Sequence, residues 1–301
     1  MFPPEFDYRR ADSVAEALDL LAEDGARALA GGQSMIPELK TGKASPGTLV
    51  DVGELDALSG IEVGDGETTV GALTTYAELA SADPVADHAP VLADAATELG
   101  DRQVRNRGTL GGNLAQADPD GDLPAAVVAA DATVVVRGRD GERDVPAGEF
   151  FLGDGETVLD DELLSAVRVP HAGDAGGAYV KNEHPATGYA TVGVAAVVDV
   201  DGDQTVSSAR VAANGVQPRP VRLEAVEDAL VGENATDGAV SEAAGRAAED
   251  LDTDTIPSDP YASGEFRANL LETYAERAVT RAVGRAAGEV DSATSGGTSD
   301  E

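Results

Sequence analysis

The sequence predicts an α+β protein whose two parts differ in texture. In the first part, short strands and helices alternate, and two separate stretches carry paired glycines, Gly31-Gly32 and Gly111-Gly112. In the second part, three predicted strands are followed by three predicted helices, an order that indicates helices packed on one face of a sheet. With 301 residues, the chain can form two or three domains around a substantial core.

Capping signals and turn residues predict the elements of the first part. Ser13 with Glu16, and Thr75 with Glu78, match the capping box that opens a helix. Further helices are predicted over 90–99 and 125–130. Alternating apolar residues between glycine-rich turns predict strands over 27–30, 48–52, 61–63, 68–70, 133–137, 142–145 and 162–169.

A glycine-rich stretch over 171–177 predicts the boundary between the two parts. After it, strands are predicted over 178–181, 189–199 and 205–213, and helices over 221–230, 241–249 and 265–287. From Gly288 the chain is small, polar and acidic, a composition typical of a disordered tail.

The charge balance excludes one class of function. The formal net charge is −35, whereas nucleic-acid binding needs a basic surface. Lys40, Lys43 and Lys181 are the only lysines. This favours a halophilic host, because at roughly 1 M salt a Debye length of about 3 Å screens the self-repulsion. An ordinary acidic protein is the alternative, but it does not readily explain the scarcity of lysine.

Composition also bears on cofactors and location. The chain has no cysteine, so it forms no disulfide and its thiolates hold no iron–sulfur cluster. Its three histidines, His88, His171 and His184, lack the spacing of ligands, and no metal site is predicted. No apolar run reaches the roughly 20 residues of a membrane span, and no signal peptide is evident, so a cytoplasmic location is expected.

The two glycine segments are candidates for binding a phosphate-bearing ligand. Glycine allows a close backbone approach and positive φ angles, and consecutive N–H groups in such a turn can hold a phosphate. Asp122, which follows the second segment, could accept hydrogen bonds from a ribose hydroxyl. Each segment alone could equally be a tight loop with a solvated face. Two such segments suit a ligand with two phosphates better than a single turn does.

These segments resemble one family. Ala30-Gly31-Gly32-Gln33-Ser34 and the run from Thr109-Leu110-Gly111-Gly112-Asn113 to Asp122-Leu123-Pro124 are similar to the FAD-binding subunit of the molybdenum hydroxylases. The stretches 6–8, 13–17 and 100–108 share the likeness, which covers nearly the whole chain. Within the family, the chain resembles the medium subunit of aerobic carbon monoxide dehydrogenase and the FAD subunits of xanthine dehydrogenase.

The resemblance implies a fold, a cofactor and partners. It implies an FAD-binding domain of the PCMH type (vanillyl-alcohol-oxidase-like) over 1–172, with lobes of about 1–55 and 56–172. A carbon monoxide dehydrogenase flavoprotein-type α+β domain is expected over 176–287, followed by a tail over 288–301. Electrons would pass from two [2Fe-2S] clusters of a small subunit through FAD to quinone or another acceptor. A large molybdopterin subunit would complete a hetero-oligomer, expected as a dimer of heterotrimers.

The resemblance also implies which residues contact FAD. Both glycine segments would wrap the pyrophosphate, mostly through backbone N–H groups. Lys181, in a Tyr-x-Lys pattern, would reach the flavin pocket, where a cation stabilises negative charge that develops on reduction. The full implied set is Ala30, Gly31, Gly32, Gln33, Ser34, Leu99, Thr109, Leu110, Gly111, Gly112, Asn113, Asp122, Leu163, Lys181 and Tyr189.

Each of the less specific residues has an alternative role. Asp122 could cap a helix, Lys181 could lie on the surface and Tyr189 could be an ordinary strand residue. Leu99 and Leu163 could pack in the core. Two stretches depart from the family: 182–185 lacks the usual basic residues, and 153–156 is shorter than usual.

Two other functions stay open at this point. A stand-alone flavin oxidase of the same fold would need its own substrate domain and a catalytic base, and neither is evident in the sequence. A non-enzymatic nucleotide-binding or scaffold subunit would carry no flavin chemistry. No catalytic residue is predicted, which suits a flavoprotein because the cofactor carries the redox chemistry.

Overall fold

The computed structural model describes residues 4–249 and 251–289. The predicted tail over 288–301 lies outside the described residues except for Gly288 and Glu289. Within the described part of the chain, no helix is long and apolar enough to cross a membrane.

In the first part strands and helices alternate as far as residue 51, and six consecutive helices lie between residues 76 and 129; in the second part four strands precede three helices. The strands are β1 (Asp7–Arg10), β2 (Ala26–Leu29), β3 (Thr48–Asp51), β4 (Ile61–Val63), β5 (Glu67–Gly71), β6 (Thr133–Gly138), β7 (Gly141–Pro146), β8 (Phe151–Gly153), β9 (Glu156–Thr157), β10 (Leu163–Pro170), β11 (Gly176–Glu183), β12 (Ala190–Val200), β13 (Val206–Asn214) and β14 (Val221–Arg222). The α-helices are α1 (Val14–Leu21), α2 (Met35–Thr41), α3 (Tyr76–Ser81), α4 (Asp83–His88), α5 (Pro90–Glu98), α6 (Arg102–Arg105), α7 (Leu110–Gln116), α8 (Asp122–Ala129), α9 (Ala147–Phe150), α10 (Glu224–Leu230), α11 (Asp237–Ala244) and α12 (Gly264–Ala286).

The first sheet is small and parallel, with strand order β1-β3-β2. Parallel strands need crossover connections, and α1 and α2 supply them. Buried Ala17, Leu18 and Leu21 of α1 pack with Val50 of β3 in one apolar cluster. The capping interactions confirm the predicted start of α1, since the Ser13 hydroxyl accepts the Glu16 N–H. Glu16, however, accepts from Asp12 rather than from Ser13, so the box is only half formed.

The second sheet is antiparallel, with strand order β4-β5-β10-β6-β7. The predicted hairpin is present as β6 and β7, which pair from Thr133 with Pro146 to Gly138 with Gly141. Helix α8 packs behind this sheet, and all eight of its residues are buried. The Thr75–Glu78 capping box, which opens α3, is complete.

The third sheet has strand order β11-β12-β13-β14 and is antiparallel. Side chains of β12 alternate between its two faces. Val192, Val194, Ala196 and Val198 pack in the cluster that includes α10, α11 and α12. Ala195 and Val197 pack in the core of the first part, together with residues of α5 and α8. The expected helices therefore lie on one face, and the first part covers the other.

Two predicted elements need correction. The predicted helix over 221–230 begins as β14, because Val221 pairs with Ala213 before α10 starts. The predicted helix over 241–249 is displaced, since Thr236 caps α11 and the helix ends at Ala244. The boundary over 171–177 stays a prediction, and β11 starts near its end, at Gly176.

Gly176 lies where β11 meets α12 most closely. A Cβ added there would be 1.9 Å from the carbonyl oxygen of Ala282 and 2.6 Å from the amide nitrogen of Ala286. Both are backbone atoms, so only a shift of the helix or the strand could make room.

We expect Gly176→Ala to lower the free energy of unfolding by about 1–3 kcal/mol, the usual cost of overpacking. Urea denaturation of the full chain measures this change. Gly202→Ala is the matched control, because a Cβ at Gly202 has no atom within 4 Å. Equal stability of the two variants would contradict the close approach.

Candidate functional site

Both glycine segments line one cleft between the first sheet and the second. The cleft encloses about 190 Å³. The loop after β2, the ends of β5 and β10, and helix α7 form its walls. Of the residues proposed from the sequence, those that line it are Ala30, Gly31, Gly32, Gln33, Ser34, Thr109, Gly111, Gly112 and Leu163.

The first glycine segment offers free hydrogen-bond donors. It leaves β2 at Leu29 and enters α2 at Met35. Among the described residues, the backbone N–H groups of Gly31, Gly32, Gln33 and Ser34 have no acceptor. Gly32 has a φ of 73°, a left-handed conformation that glycine adopts without strain. Four unpaired N–H groups before a helix form a cradle for an anion.

The first glycine segment also packs directly against the residues just before the second glycine segment. A Cβ at Gly31 would lie 1.9 Å from the carbonyl oxygen of Arg107, so only glycine fits there. On the α2 side, the Gln116 amide donates to Glu38 Oε1 at 2.8 Å, which joins α7 to α2. The two segments are therefore held together on both sides of the cradle.

The second segment differs from the prediction because it is helical. Thr109 caps α7, and its hydroxyl accepts the Gly112 N–H at 3.2 Å. Leu110 N–H donates to Thr74 O, Gly111 N–H donates to Ala72 O, and Asn113 N–H donates to Thr109 O. Of this segment, only the Thr109 N–H lacks an acceptor among the described residues, so the row of free donors expected here is reduced to one. Its glycines instead leave the cleft wall without side chains, and their contact with FAD stays a prediction.

The residues present fit the diphosphate of FAD. The cradle supplies unpaired donors, and Arg27 is the basic side chain among the lining residues. Glu162 is the acidic side chain among the lining residues. It forms an ion pair with Arg143, which holds the pKa of the Glu162 carboxyl below its usual value. A volume of about 190 Å³ is below the roughly 300–1,000 Å³ of typical ligand pockets, so a dinucleotide would extend beyond the cleft.

Tyr76 is a cleft residue that the sequence did not single out. Its hydroxyl accepts a hydrogen bond from Asn113 Nδ2 at 3.2 Å, and burial raises its pKa to about 12. Gly108 packs on the ring so closely that a Cβ there would be 2.2 Å from it. The capping box at Thr75 located the start of this helix, but nothing in the sequence showed that the ring turns into the cleft.

Asp122 lies outside the cleft lining and joins the two parts of the molecule. It is 1% exposed. Its carboxylate accepts a hydrogen bond from the Tyr179 hydroxyl at 2.6 Å and one from Lys181 Nζ at 3.0 Å. Gly121, not Asp122, is the N-cap of α8, so the alternative role as a helix cap is excluded. The direct contact with a ribose stays a prediction.

Lys181 is buried, so its alternative role as a surface lysine is wrong: its side chain is 2% exposed. Its three donors meet Asp122 Oδ2, Glu98 O at 2.9 Å and Gly188 O at 3.0 Å. An ammonium has three N–H groups, so contacts within the chain occupy all of them. Reaching a flavin would require Lys181 to release one of these acceptors.

The contact with Gly188 connects this pair to Tyr189. Tyr189 is 39% exposed, and the Ser34 hydroxyl of the first glycine segment lies near its phenol. Burial raises the pKa of Tyr189, and the charges of Asp118 and Asp122 raise it further. The side chain therefore stands beside the cradle, at the rim rather than inside the cleft.

The three leucines occupy different positions. Leu163 lines the cleft. Leu99 and Leu110 belong to the main apolar cluster, with 8% and 0% exposure. Core packing is therefore established for Leu99 and Leu110, and also for Leu163, which is 6% exposed in the cluster that contains Val50. The contact of all three with FAD stays a prediction.

The position of Asp122 predicts a pH dependence of stability. Burial raises its pKa from 3.8 to about 6, although Lys181 and Tyr179 oppose the shift. Between about pH 4 and pH 6 the folded chain binds the proton of the Asp122 carboxyl more tightly than the unfolded chain does. The stability that protonation of Asp122 contributes is therefore lost as the pH rises through that window. We expect wild type to lose roughly 1–3 kcal/mol relative to Asp122→Asn across it. Parallel curves of unfolding free energy against pH would contradict the raised pKa.

Two family profiles match the chain. Residues 4–172 match the family described as the FAD binding domain in molybdopterin dehydrogenase. Residues 178–282 match the CO dehydrogenase flavoprotein C-terminal domain. The first match alone covers more than half of the sequence.

Whole-chain relatives agree with these profiles. The glyceraldehyde dehydrogenase medium chain of Sulfolobus acidocaldarius is 34% identical over 92% of this chain and 98% of its own. The carbon monoxide dehydrogenase medium chain of Hydrogenophaga pseudoflava is 40% identical over 83% of this chain and 91% of its own.

The fold agrees as well. A solved carbon monoxide dehydrogenase structure from Hydrogenophaga pseudoflava superposes with a TM-score of 0.90 at 37% identity, covering 95% of this chain and 99% of that one. The predicted α+β fold class and the resemblance to the carbon monoxide dehydrogenase medium subunit are confirmed. This chain is a member of the molybdopterin dehydrogenase FAD-binding family, with a C-terminal domain of the CO dehydrogenase flavoprotein type.

Proposed function

We propose that this chain is the FAD-binding electron-transfer subunit of a molybdenum hydroxylase complex. The single observation that carries the proposal is the row of four unpaired N–H groups, Gly31 to Ser34, in a cleft shared with α7. Such a row can hold an anion, and the diphosphate of FAD has the charge and the acceptors. Bound FAD would supply the exchange of one or two electrons.

The residues of the chain then have separate tasks. Gly31 to Ser34 bind the diphosphate, and the bare backbone at Gly111 and Gly112 lets the cofactor approach the wall. Tyr76 and Asn113 fix the shape of the cleft between α3 and α7. Tyr189 covers the rim beside Ser34, and Lys181 holds the segment that carries Tyr189 through Gly188 O. The domains that share these tasks are 1–172 and 176–287.

Partner subunits follow from the family. The names of the relatives, medium chains of glyceraldehyde and carbon monoxide dehydrogenases, support a place within a larger enzyme. We infer a small subunit with two [2Fe-2S] clusters as electron donor, a large molybdopterin subunit where substrate reacts, and a dimer of heterotrimers. The absence of cysteine from this chain agrees with clusters held elsewhere. The substrate is chosen on another chain, so these residues do not specify it.

We infer further that the protein works in the cytoplasm of a halophilic host. The net charge of −35 and the presence of only three lysines support this. Acidic side chains in such excess repel one another in dilute buffer, and concentrated salt removes the repulsion.

FAD binding is tested with Gly31→Ala. The added Cβ would clash with Arg107 O and displace the cradle, so we expect the FAD affinity of the full chain to fall about tenfold or more, since a hydrogen bond to a charged group contributes roughly 1.5–3 kcal/mol. Isothermal titration of apoprotein with FAD measures the change. Gly148→Ala, where a Cβ would have no atom within 4 Å, should bind like wild type. Wild type that binds no FAD would refute the proposed function.

The halophilic proposal is tested by thermal melting in increasing KCl. We expect the melting temperature to rise continuously from about 0.1 M to about 2 M, because screening relieves repulsion among the carboxylates. Sucrose at equal osmolality is the control for effects unrelated to charge. Greater stability in dilute buffer than in concentrated salt would contradict the proposal.

A further inference from the structure

One short segment reverses the charge of the chain. Residues 101–107, here called the arginine turn, contain Arg102, Arg105 and Arg107 against the single acid Asp101. The chain as a whole carries a net charge of −35, and only a few short segments, among them 216–222 and 277–285, have a similar local excess of arginine over acidic residues. The turn consists of α6 and the residues on either side.

The arginine turn is firmly held. Arg105 donates to the carbonyl oxygens at the end of α5, to Gly100 at 2.7 Å and to Leu99 at 3.1 Å. Asp101 Oδ1 accepts the Val104 N–H at 2.9 Å and so caps α6. Gly108, the next residue, is wedged against the ring of Tyr76. These contacts engage Arg105 and Asp101 within the fold and anchor the backbone of the turn.

The remaining polar side chains of the turn are exposed and have no side-chain partner among the described residues. Arg102, Gln103, Asn106 and Arg107 are exposed. Neither Arg102 nor Arg107 forms a side-chain hydrogen bond or an ion pair with a described residue. Most of the other described arginines do pair with a carboxylate, for example Arg143 with Glu162 and Arg222 with Glu227. In a chain so rich in acids, two rigidly mounted and unpaired arginines are available for another molecule.

Acidic residues on neighbouring elements do not neutralise the turn. Glu78 of α3, the helix packed against α6, is committed to its own capping box with Thr75. Glu98 at the end of α5 is exposed. It lies in the groove on α12 with Arg277 and Arg281, where Glu276 and Glu289 are further acids. The unpaired arginines of α12 thus have three acids around them, unlike those of the arginine turn.

The turn lies next to the candidate cofactor cleft. The carbonyl oxygen of Arg107 is the atom that a Cβ at Gly31 would strike, and Gly108 and Thr109 line the cleft itself. A protein that rested on Arg102 and Arg107 would therefore cover one edge of the cleft. An electron donor docked there would lie beside the proposed FAD site.

We propose that the arginine turn is the docking surface for an acidic face of the iron–sulfur subunit. The inference rests on the proposed function, which requires such a donor, and it adds the place and the chemistry of the contact. Arg102 and Arg107 pair with carboxylates of that subunit, and guanidinium groups bind carboxylates through two parallel hydrogen bonds. Gln103 and Asn106 supply neutral hydrogen bonds between them.

The test uses the full FAD-loaded chain and the purified [2Fe-2S] subunit of its own complex, with affinity measured by interferometry over a series of salt concentrations. We expect Arg102→Glu/Arg107→Glu to weaken binding by about tenfold or more in dilute salt and to make this loss smaller as salt is added, since like charges then face each other and salt screens their repulsion. The neutral Arg102→Gln/Arg107→Gln should give an intermediate loss. Arg277→Glu/Arg281→Glu carries the same charge change on α12 and should bind like wild type. FAD content and melting temperature verify that each variant is folded.

Each outcome decides the matter. Weakened binding by both turn variants, with FAD retained and the α12 variant unaffected, supports the proposal. Binding of the neutral turn variant within about twofold of wild type, or an equal loss in the α12 variant, overturns it and leaves the proposed function intact. Wild type that binds FAD but no [2Fe-2S] subunit overturns the proposed relay and this inference with it.

Discussion

The architecture depends on one buried ion pair between the two parts of the chain. Asp122 begins α8 in the first part, and Lys181 and Tyr179 lie on β11 in the second. Burying such a pair gains little by itself, but removing one partner costs about 3–5 kcal/mol because it leaves an uncompensated charge. The absence of a side chain at Gly193 makes the arrangement possible, since a Cβ there would be 2.1 Å from the Tyr179 hydroxyl.

The Asp122–Lys181 pair is connected to the candidate site, although neither side chain lines the cleft. Lys181 holds the carbonyl of Gly188, and the next residue, Tyr189, stands beside Ser34 of the cradle. Both parts of the molecule therefore contribute to the cleft. The first part provides the N–H donors of Gly31 to Ser34, and the second part provides Tyr189 at the rim. Lys181, whose contact with FAD was implied by the family resemblance and stays a prediction, holds this junction.

The sequence predicted correctly those secondary-structure elements that are determined by residues close to one another in the chain. The β6–β7 hairpin follows from a glycine turn between apolar runs, and α3 from its complete capping box. The shared cleft followed from two glycine segments that suited a ligand with two phosphates. The identity of the cofactor came from the resemblance to a family, because the spacing of the glycine segments alone did not indicate FAD.

The failures have tertiary causes. Two glycines disfavour a helix, yet α7 forms because Ala72 O and Thr74 O accept the N–H groups at its start. The lengthened β11 and the short β14 exist because neighbouring strands pair with them. No property of residue 181 by itself reveals that three acceptors surround it. Tyr179 carried a signal, its place two residues before Lys181, but only the fold shows it donating to Asp122.

The packing of β12 on both of its faces bears on whether the second part can fold by itself. Its alternate side chains serve two separate cores, with Val194 on one side and Ala195 and Val197 on the other. Cut free at residue 175, this unit would present that second row to water, along with the ring of Tyr179. We therefore expect that the second part does not fold by itself and that the two parts unfold together.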